Sequence, residues 1–414
     1  MAGISKQSFF TAALGTMVEY YDCALFIIFL PIVAPLFFPA HSAYESLVRG
    51  YFILLISMIA RPLGGLLFGY LGDVFGRRKA LLGSMYGIAI ATLIIGFTPS
   101  YITIGAWATI IIIIAKATQM FFFGGEYNGA GIYVVEHTQG KNEGLMGGLL
   151  TAATLCGALC ASVLGILLTL PGMPTWSWRL AFIFGGIIGI IGIIARKNLI
   201  ESPSFTPANL QQHNLRHLIQ NFPRELVAGI FIGGFSTAPY TTTLAFISPV
   251  LVTQGYFNYH QFMLLQTLIA SIGIVTTIIA GRFADKIPAS KIMRFAALSL
   301  IVLTYPLLRL IDLRLISGIL FSLISFIVIN QFLLGPANAY FKNAFAMHYR
   351  YRGSSLSFCL GMSIIGGATP LVENFLYQWT GHFSGIALWL MFIAAGTFLS
   401  LHLVEKKPYP SLAV

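Results

Sequence analysis

Two acidic residues, Glu19 and Asp22, stand inside an otherwise apolar stretch near the start of the chain. Three residues apart, they share one face of a helix. Further charges interrupt other apolar stretches: Arg61, Lys116, Glu126 and Glu373. A charge in the middle of a membrane costs at least a few kcal/mol, so such residues are functional candidates by default. The chemistry they offer is proton exchange. A buried carboxyl can bind and release a proton when burial favours its neutral form and a nearby cation favours its charged form. Hydroxyls supply the second kind of chemistry. The segment STAPYTTT, Ser236 to Thr243, carries more hydroxyls than a lipid-facing helix would, which predicts that some line a cavity.

The elements that hold these residues must be membrane helices. Of 414 residues, 57% are hydrophobic and only 9% are charged, far below the quarter that soluble domains carry. Apolar runs of about 20 residues exclude a β-barrel, whose strands alternate over about 10. Breaks at charge, Pro and Gly predict twelve spans, near 8–38, 47–72, 79–98, 103–135, 143–170, 177–197, 224–253, 260–281, 290–309, 314–340, 352–378 and 384–404. Alternate loops differ in charge. One side collects Arg77, Arg78, Lys79, Lys141, Arg282, Lys286, Lys342 and Arg350 among others, while the other keeps Arg49, Arg179, Arg309 and Arg314. The positive-inside bias predicts a multi-pass protein of a bacterial inner membrane with both termini cytosolic. The first residues lack a cleavable signal pattern. The net charge of +11 is distributed over one membrane face, so no nucleic-acid partner is expected. The four cysteines lie inside apolar runs without metal-ligand spacing, and no metal or cofactor is expected.

The chain repeats itself. Gly69, Asp73, Gly76, Arg77 and Arg78 form a Gly-rich turn between the second and third spans. Gly281 and Asp285 echo it between the eighth and ninth, with Pro288 where Gly76 would be. KNEG before the fifth span is echoed by RYRG before the eleventh. These echoes predict two six-helix bundles, 1–197 and 224–414, joined by a polar linker at 198–223 and rocking about a central site. A small-residue stripe, Ala153, Gly157, Ala161 and Gly165, predicts close helix packing.

The turn G-x-x-x-D-x-x-G-R-R-K resembles the signature loop of the major facilitator superfamily. GTMVEYYD, RPLGG, GGEYNGA, WSWRLAF and ESPSF, in that order, narrow the resemblance to its metabolite:H⁺ symporter family, which includes proline/betaine, α-ketoglutarate, citrate and shikimate transporters. Three departures stand out: Glu143 where members carry a basic residue, Met120 after Gln119, and Pro288. The resemblance implies a secondary transporter, monomeric in the lipid, that imports a small polar metabolite with protons. In related sugar porters an acid placed like Asp22 pairs with a base placed like Lys116.

The residue reading leaves alternatives open. Asp22 and Lys116 are either a proton-coupling pair or a structural salt bridge. Glu19 is a second proton site or the partner of Arg61. Glu126 contacts substrate or ion, or is a buried carboxylate satisfied by Arg61 or a hydroxyl. Tyr20, Tyr21, Arg61, Gln119, Glu126, Tyr127, Tyr240 and Asn330 are the substrate-binding candidates. Glu136 and His137 are expected in a loop network, Arg179 as an interfacial anchor, and Glu373, without an obvious partner, in an exposed position, with a gate role as its alternative. Within this family an anion site would be expected to carry more arginine, which favours a zwitterion such as betaine or proline. The chain ends at Val414 without a coiled-coil extension, so an osmosensory role is not expected. A proton-coupled exporter of the same fold is the alternative. A membrane enzyme is not expected: H-E-x-x-H, G-x-S-x-G and phosphate-loop patterns are all absent from the sequence.

Overall fold

Inside a bilayer each backbone polar group must be satisfied within its own segment, which leaves the apolar runs helical. The computed structural model describes residues 6–75, 77–124, 126–138, 140–196, 215–346 and 349–405. Among them α1 (Lys6–Ile28) runs on into a short helix, Leu30–Phe37, and α2 is Ala43–Phe75. Next come α3 (Arg77–Phe97), α4 (Ala106–Phe123, continued by Glu126–His137), α5 (Glu143–Leu168) and α6 (Trp178–Arg196). The second half has α7 (Pro223–Thr253), α8 (Tyr259–Ala284), α9 (Ala289–Asp312), α10 (Ile316–Ala344), α11 (Arg350–Thr380) and α12 (Ala387–Glu405). Among the described residues ten helices are long and apolar enough to cross a membrane, and α3 and α6 supply shorter apolar helices, Leu82–Phe97 and Trp178–Ile194. Twelve spans in two pseudo-symmetric bundles therefore match the sequence reading.

Glycines set where the helices cross. A Cβ on Gly64 of α2 would lie 1.6 Å from the Phe121 carbonyl of α4, and one on Gly124 would lie 2.0 Å from the Arg61 carbonyl. The motifs RPLGG and FFFGGE thus press backbone against backbone. Gly157 does the same for α5 on α1, its Cβ site 2.1 Å from the Met17 carbonyl, and Gly361 for α11 on α7, 1.9 Å from the Ile230 carbonyl. Between bundles, α5 meets α8 through Gly144 and Gly281. Each would place a Cβ within 2.6 Å of the other's carbonyl oxygen or closer. Large apolar side chains such as Phe52, Ile59 and Leu63 of α2 remain exposed along the outside, as lipid contact requires.

Cross-bundle contacts lie at both ends. At the end with the basic loops, Asp285 follows α8 and accepts from the backbone N–H of Gly144 (2.7 Å) and of Leu145 (3.2 Å) at the start of α5. This carboxylate caps a helix N-terminus in the other half, where the dipole favours negative charge. Lys342 pairs with Glu143, and Arg350 with Glu136 at 3.1 Å. At the far end Tyr44 of α2 bonds Asn374 of α11, Gln378 donates to the Tyr44 hydroxyl (3.0 Å), and Tyr259 of α8 donates to the Ile28 carbonyl (2.8 Å). Two helices carry a π-turn, Thr242–Ile247 in α7 and Gly361–Gly366 in α11; such turns recur at functional positions.

Candidate functional site

Between the bundles lies a cavity with about 90 Å³ open to the centres of water-sized molecules. One water needs about 10–15 Å³ of such space, so the cavity can hold a small metabolite. Tyr20 of α1, Arg61 of α2, Tyr240 of α7 and Asn330 of α10, four of the candidates, line it. So do Ser236, Thr237 and Thr241, the hydroxyls whose density in α7 foretold this position.

Arg61 is the cavity's cation. It is fully buried, and its guanidinium lies 4.3 Å from the ring centroid of Phe123. Tyr20 packs edge-on against that same ring at 5.0 Å. Among the described residues no ion pair joins Arg61 to a carboxylate. A planar guanidinium stacked on an aromatic face keeps its donors directed sideways, where a planar anion can meet them. Opposite, Asn330 donates from Nδ2 to the Ser236 carbonyl (3.2 Å) while its Oδ1 has no partner among the described residues.

The proton candidates form a separate cluster behind this cavity. Glu19, Asp22 and Lys116 are each 1% exposed. Lys116 does not reach Asp22 within ion-pair distance. Its ammonium donates to Gln119 Oε1 (2.6 Å) and sits 5.0 Å from the Phe26 ring centroid. Gln119 in turn donates to Thr92 (2.8 Å), and Thr92 to the Ile88 carbonyl (3.0 Å). Neither Asp22 oxygen has a hydrogen-bond partner among the described residues. The expected direct pair is therefore replaced by a relay that holds the lysine beside a bare carboxyl. Physical reason supports it: two buried charges in contact recover their desolvation cost only with near-ideal geometry, and Gln119 and Phe26 already satisfy the ammonium. Room for the carboxyl comes from Gly185 of α6, whose Cβ would fall 2.2 Å from Asp22 Oδ1. Sequence reasoning missed Gly185 and Thr92, since neither carries a charge or a motif.

Two substrate candidates lie elsewhere. Tyr21 turns away from the cavity and donates to the Ala181 carbonyl (2.9 Å) on α6. Gln119 belongs to the lysine relay. Gly69 abuts Tyr351 and Arg352 at the start of α11, with its Cβ site 3.7 Å from both side chains, and Arg78 is exposed. The side chains of Asp73, Arg77, Glu126 and Tyr127, and the whole of Gly76, lie outside the described residues. Arg179 matches an anchor, donating to the Gly96 (2.9 Å) and Thr98 carbonyls (2.5 Å) with its guanidinium over Trp178. The expectation for Glu373 is overturned. It is 0% exposed and hydrogen-bonded to Thr242, because α2 and the π-turn of α7 cover the face of α11 that carries it.

A family model described as Major Facilitator Superfamily matches residues 12–370. The chain belongs to the major facilitator superfamily. It is a multi-pass membrane transporter rather than an enzyme. Over 414 residues it is 30% identical to a Staphylococcus aureus (strain COL) protein and 27% identical to one of Escherichia coli (strain K12), both bearing the name proline/betaine transporter. Those alignments cover 95% of this chain and 87% and 82% of the two relatives. In fold it is similar to a double tryptophan mutant of XylE, with TM-score 0.79, 15% identity, and coverage of 96% of this chain and 94% of that one. It is likewise similar to the proton:xylose symporter XylE bound to 6-bromo-6-deoxy-D-glucose, with TM-score 0.72, 17% identity, and coverage of 97% and 95%.

Proposed function

We propose that the protein imports a small zwitterionic metabolite, of the proline or betaine kind, together with protons across a bacterial inner membrane. The observation that carries this is Arg61: a buried cation lining the central cavity with no carboxylate within 4 Å among the described residues. A substrate carboxylate completes it. The cationic end of the substrate meets Tyr240 and the hydroxyls of α7, since aromatic faces attract ammonium groups. Asp22 is the proton carrier. Its oxygens have no hydrogen-bond partner among the described residues, and the Lys116 ammonium is held by Gln119 instead of pairing with it. Lys116 and its relay restore the charged form when the bundles move. Glu19, on the same face of α1, is the second group of the coupling site, and Glu126 and Tyr127 of α4 are assigned to coupling and to substrate binding.

In this reading 1–197 and 224–414 move as two bodies about the linker 198–223, as a monomer. The basic end is cytosolic, with both termini there, and Gly69, Asp73, Gly76, Arg77, Arg78 and Asp285 govern its closure. The relatives' names support the substrate class, and the fold that this chain shares with the proton:xylose symporter XylE supports the coupling. The test is uptake of labelled proline and betaine into proteoliposomes under an inward proton gradient. Accumulation should collapse with an ionophore and be absent in Asp22→Asn. Uptake indifferent to the ionophore would overturn the coupling. Efflux of larger apolar compounds in place of uptake would move the protein among the exporters.

A further inference from the structure

Glu373 takes no part in the cycle above, yet it is the most completely enclosed carboxyl at the far end of the molecule. It lies where α11 of one bundle faces α2 of the other, beside the Tyr44–Asn374 contact. Its Oε1 meets the hydroxyl of Thr242 on the π-turn of α7, and its Oε2 has no partner. Tyr51 of α2, 0% exposed, approaches from the opposite bundle with its hydroxyl also unpartnered, its ring 6.4 Å from that of Phe246 on the same π-turn. The Thr242 hydroxyl has two neighbours, Glu373 Oε1 and the Ala238 carbonyl at 2.7 Å. It owns one proton. Both neighbours are acceptors if Glu373 is ionised, and one contact is then unmade. Both contacts are satisfied if the carboxyl carries the proton, donating to Thr242 Oγ1 while Thr242 donates to Ala238.

Among the described residues no Lys, Arg or His side chain lies within ion-pair distance of Glu373, and Arg314 at this end is turned onto the Phe383 ring instead. Toward this end, the titratable groups on the elements packed around it are Tyr44, Glu45, Arg49 and Tyr51 of α2, Tyr240 of α7, Tyr377 of α11 itself and His382 before α12; the others on these helices lie farther along, from Arg61 at the cavity to the basic end. The Glu45–Arg49 pair of α2 is exposed and closed on itself at 2.8 Å, and Asp312 is taken up by the backbone N–H groups of Phe383 (2.7 Å) and Ser384 (3.1 Å).

We propose that Glu373 is a second proton-binding site, outside the coupling cluster, whose proton holds the outer gate shut. The proposal rests on the orientation adopted above, in which the far end faces outward. Separation of α2 from α11 wets the carboxyl and releases its proton to the outer solution. Closure takes one up again from the same side. The site therefore sets how external acidity weights the closed gate, without adding a transported proton.

Cys23, which lines the cavity, is a native probe of gate opening. The full-length protein in liposomes is treated from outside with a membrane-impermeant maleimide, and Cys23 modification is read by peptide mass spectrometry across a pH series. Taking the ratio of wild type to Glu373→Gln at each pH cancels the thiol's own titration. That ratio should climb on going from acid to alkali, about tenfold for each unit by which closure strengthens proton binding. Glu373→Asp, which keeps a carboxyl, should restore a pH-dependent ratio with a displaced midpoint. In infrared spectra at neutral pH, Glu373→Gln should lose a protonated-carboxyl band. A ratio flat in pH, or no band lost, overturns the proposal. Proton-driven uptake by the wild type is a separate readout, so its failure would remove the transport reading and leave the gate titration standing.

Discussion

Arg61 and Asp22 are both buried without an ion-pair partner among the described residues. Arg61 is stacked on Phe123, with no carboxylate within 4 Å among the described residues, and Asp22 is given space, with no hydrogen-bond partner among them. A group left unsatisfied in one conformation is the group whose energy changes most when ligand arrives or the conformation switches. Arg61→Ala should weaken substrate binding by about 2 kcal/mol, or ~30-fold in Kd, the scale of a hydrogen bond to a charged group. Arg61→Lys should recover only part of this, because a lysine keeps the charge and loses the planar fork. Calorimetric titration of the purified protein measures both. Gly185→Ala makes a sharper point. Its new methyl falls 2.2 Å from Asp22 Oδ1, with the Tyr21 ring the next neighbour at 2.9 Å. The expected result is a folded protein that binds and exchanges substrate but whose binding no longer strengthens with falling pH; an unchanged pH profile would separate Asp22 from coupling.

At the scale of the helices, what the sequence reveals depends on whether a feature has a composition. Span boundaries do, since each ends in charge, Pro or Gly, and the twelve spans come out within a few residues. The α2–α4 crossing does too, because only glycines at positions such as Gly64 and Gly124 permit it. Gly124→Ala should lower stability by about 1–3 kcal/mol, the usual penalty for overpacking, read as a fall in Tm. Gly83→Ala on α3 is the control, with its nearest neighbour, Phe68, at 3.6 Å; there the added helix propensity should leave Tm unchanged or raise it. The π-turns have no such signature. One extra residue in a turn leaves the alphabet untouched but rotates everything beyond it. The hydroxyl of Thr242 is an example. From sequence alone it is one of a run of equivalent threonines, and Glu373, for the same reason, reads as an exposed acid near a helix end. The Lys116 relay was hidden differently: its members come from α3 and α4, and nothing in the chain's order brings Thr92 to Gln119.

For the whole molecule, the two ends are closed by different physics. The basic end uses charge: Asp285 on the α5 N-terminus, Lys342 with Glu143, Arg350 with Glu136. The far end uses neutral groups, Tyr44 with Asn374 and Gln378, and Tyr259 with a carbonyl. Salt screens the first set and leaves the second nearly unaffected. Asp285→Asn, which halves the cap and removes its charge, should cost about 1 kcal/mol of closure at the basic end, a shift of about fivefold in population. Hydrogen exchange reports it directly, through faster exchange of the Gly144 and Leu145 amides. High salt should do the same to the wild type. Glu143, a departure from the family's usual basic residue, is explained by this arrangement, since it supplies the acid that Lys342 requires.

The contact between Gly144 and Gly281 has a consequence for heredity. Every missense change at a glycine codon adds atoms, and here the first added atom already meets the other bundle's carbonyl oxygen. At these codons, and at those of Gly64, Gly124 and Gly361, the only harmless point mutations are silent ones. A randomised library selected for transport should thus return wild-type glycine alone at these positions, while the lipid-facing phenylalanines and leucines beside them drift freely. The places where its helices cross backbone to backbone would be visible as gaps in its mutational record.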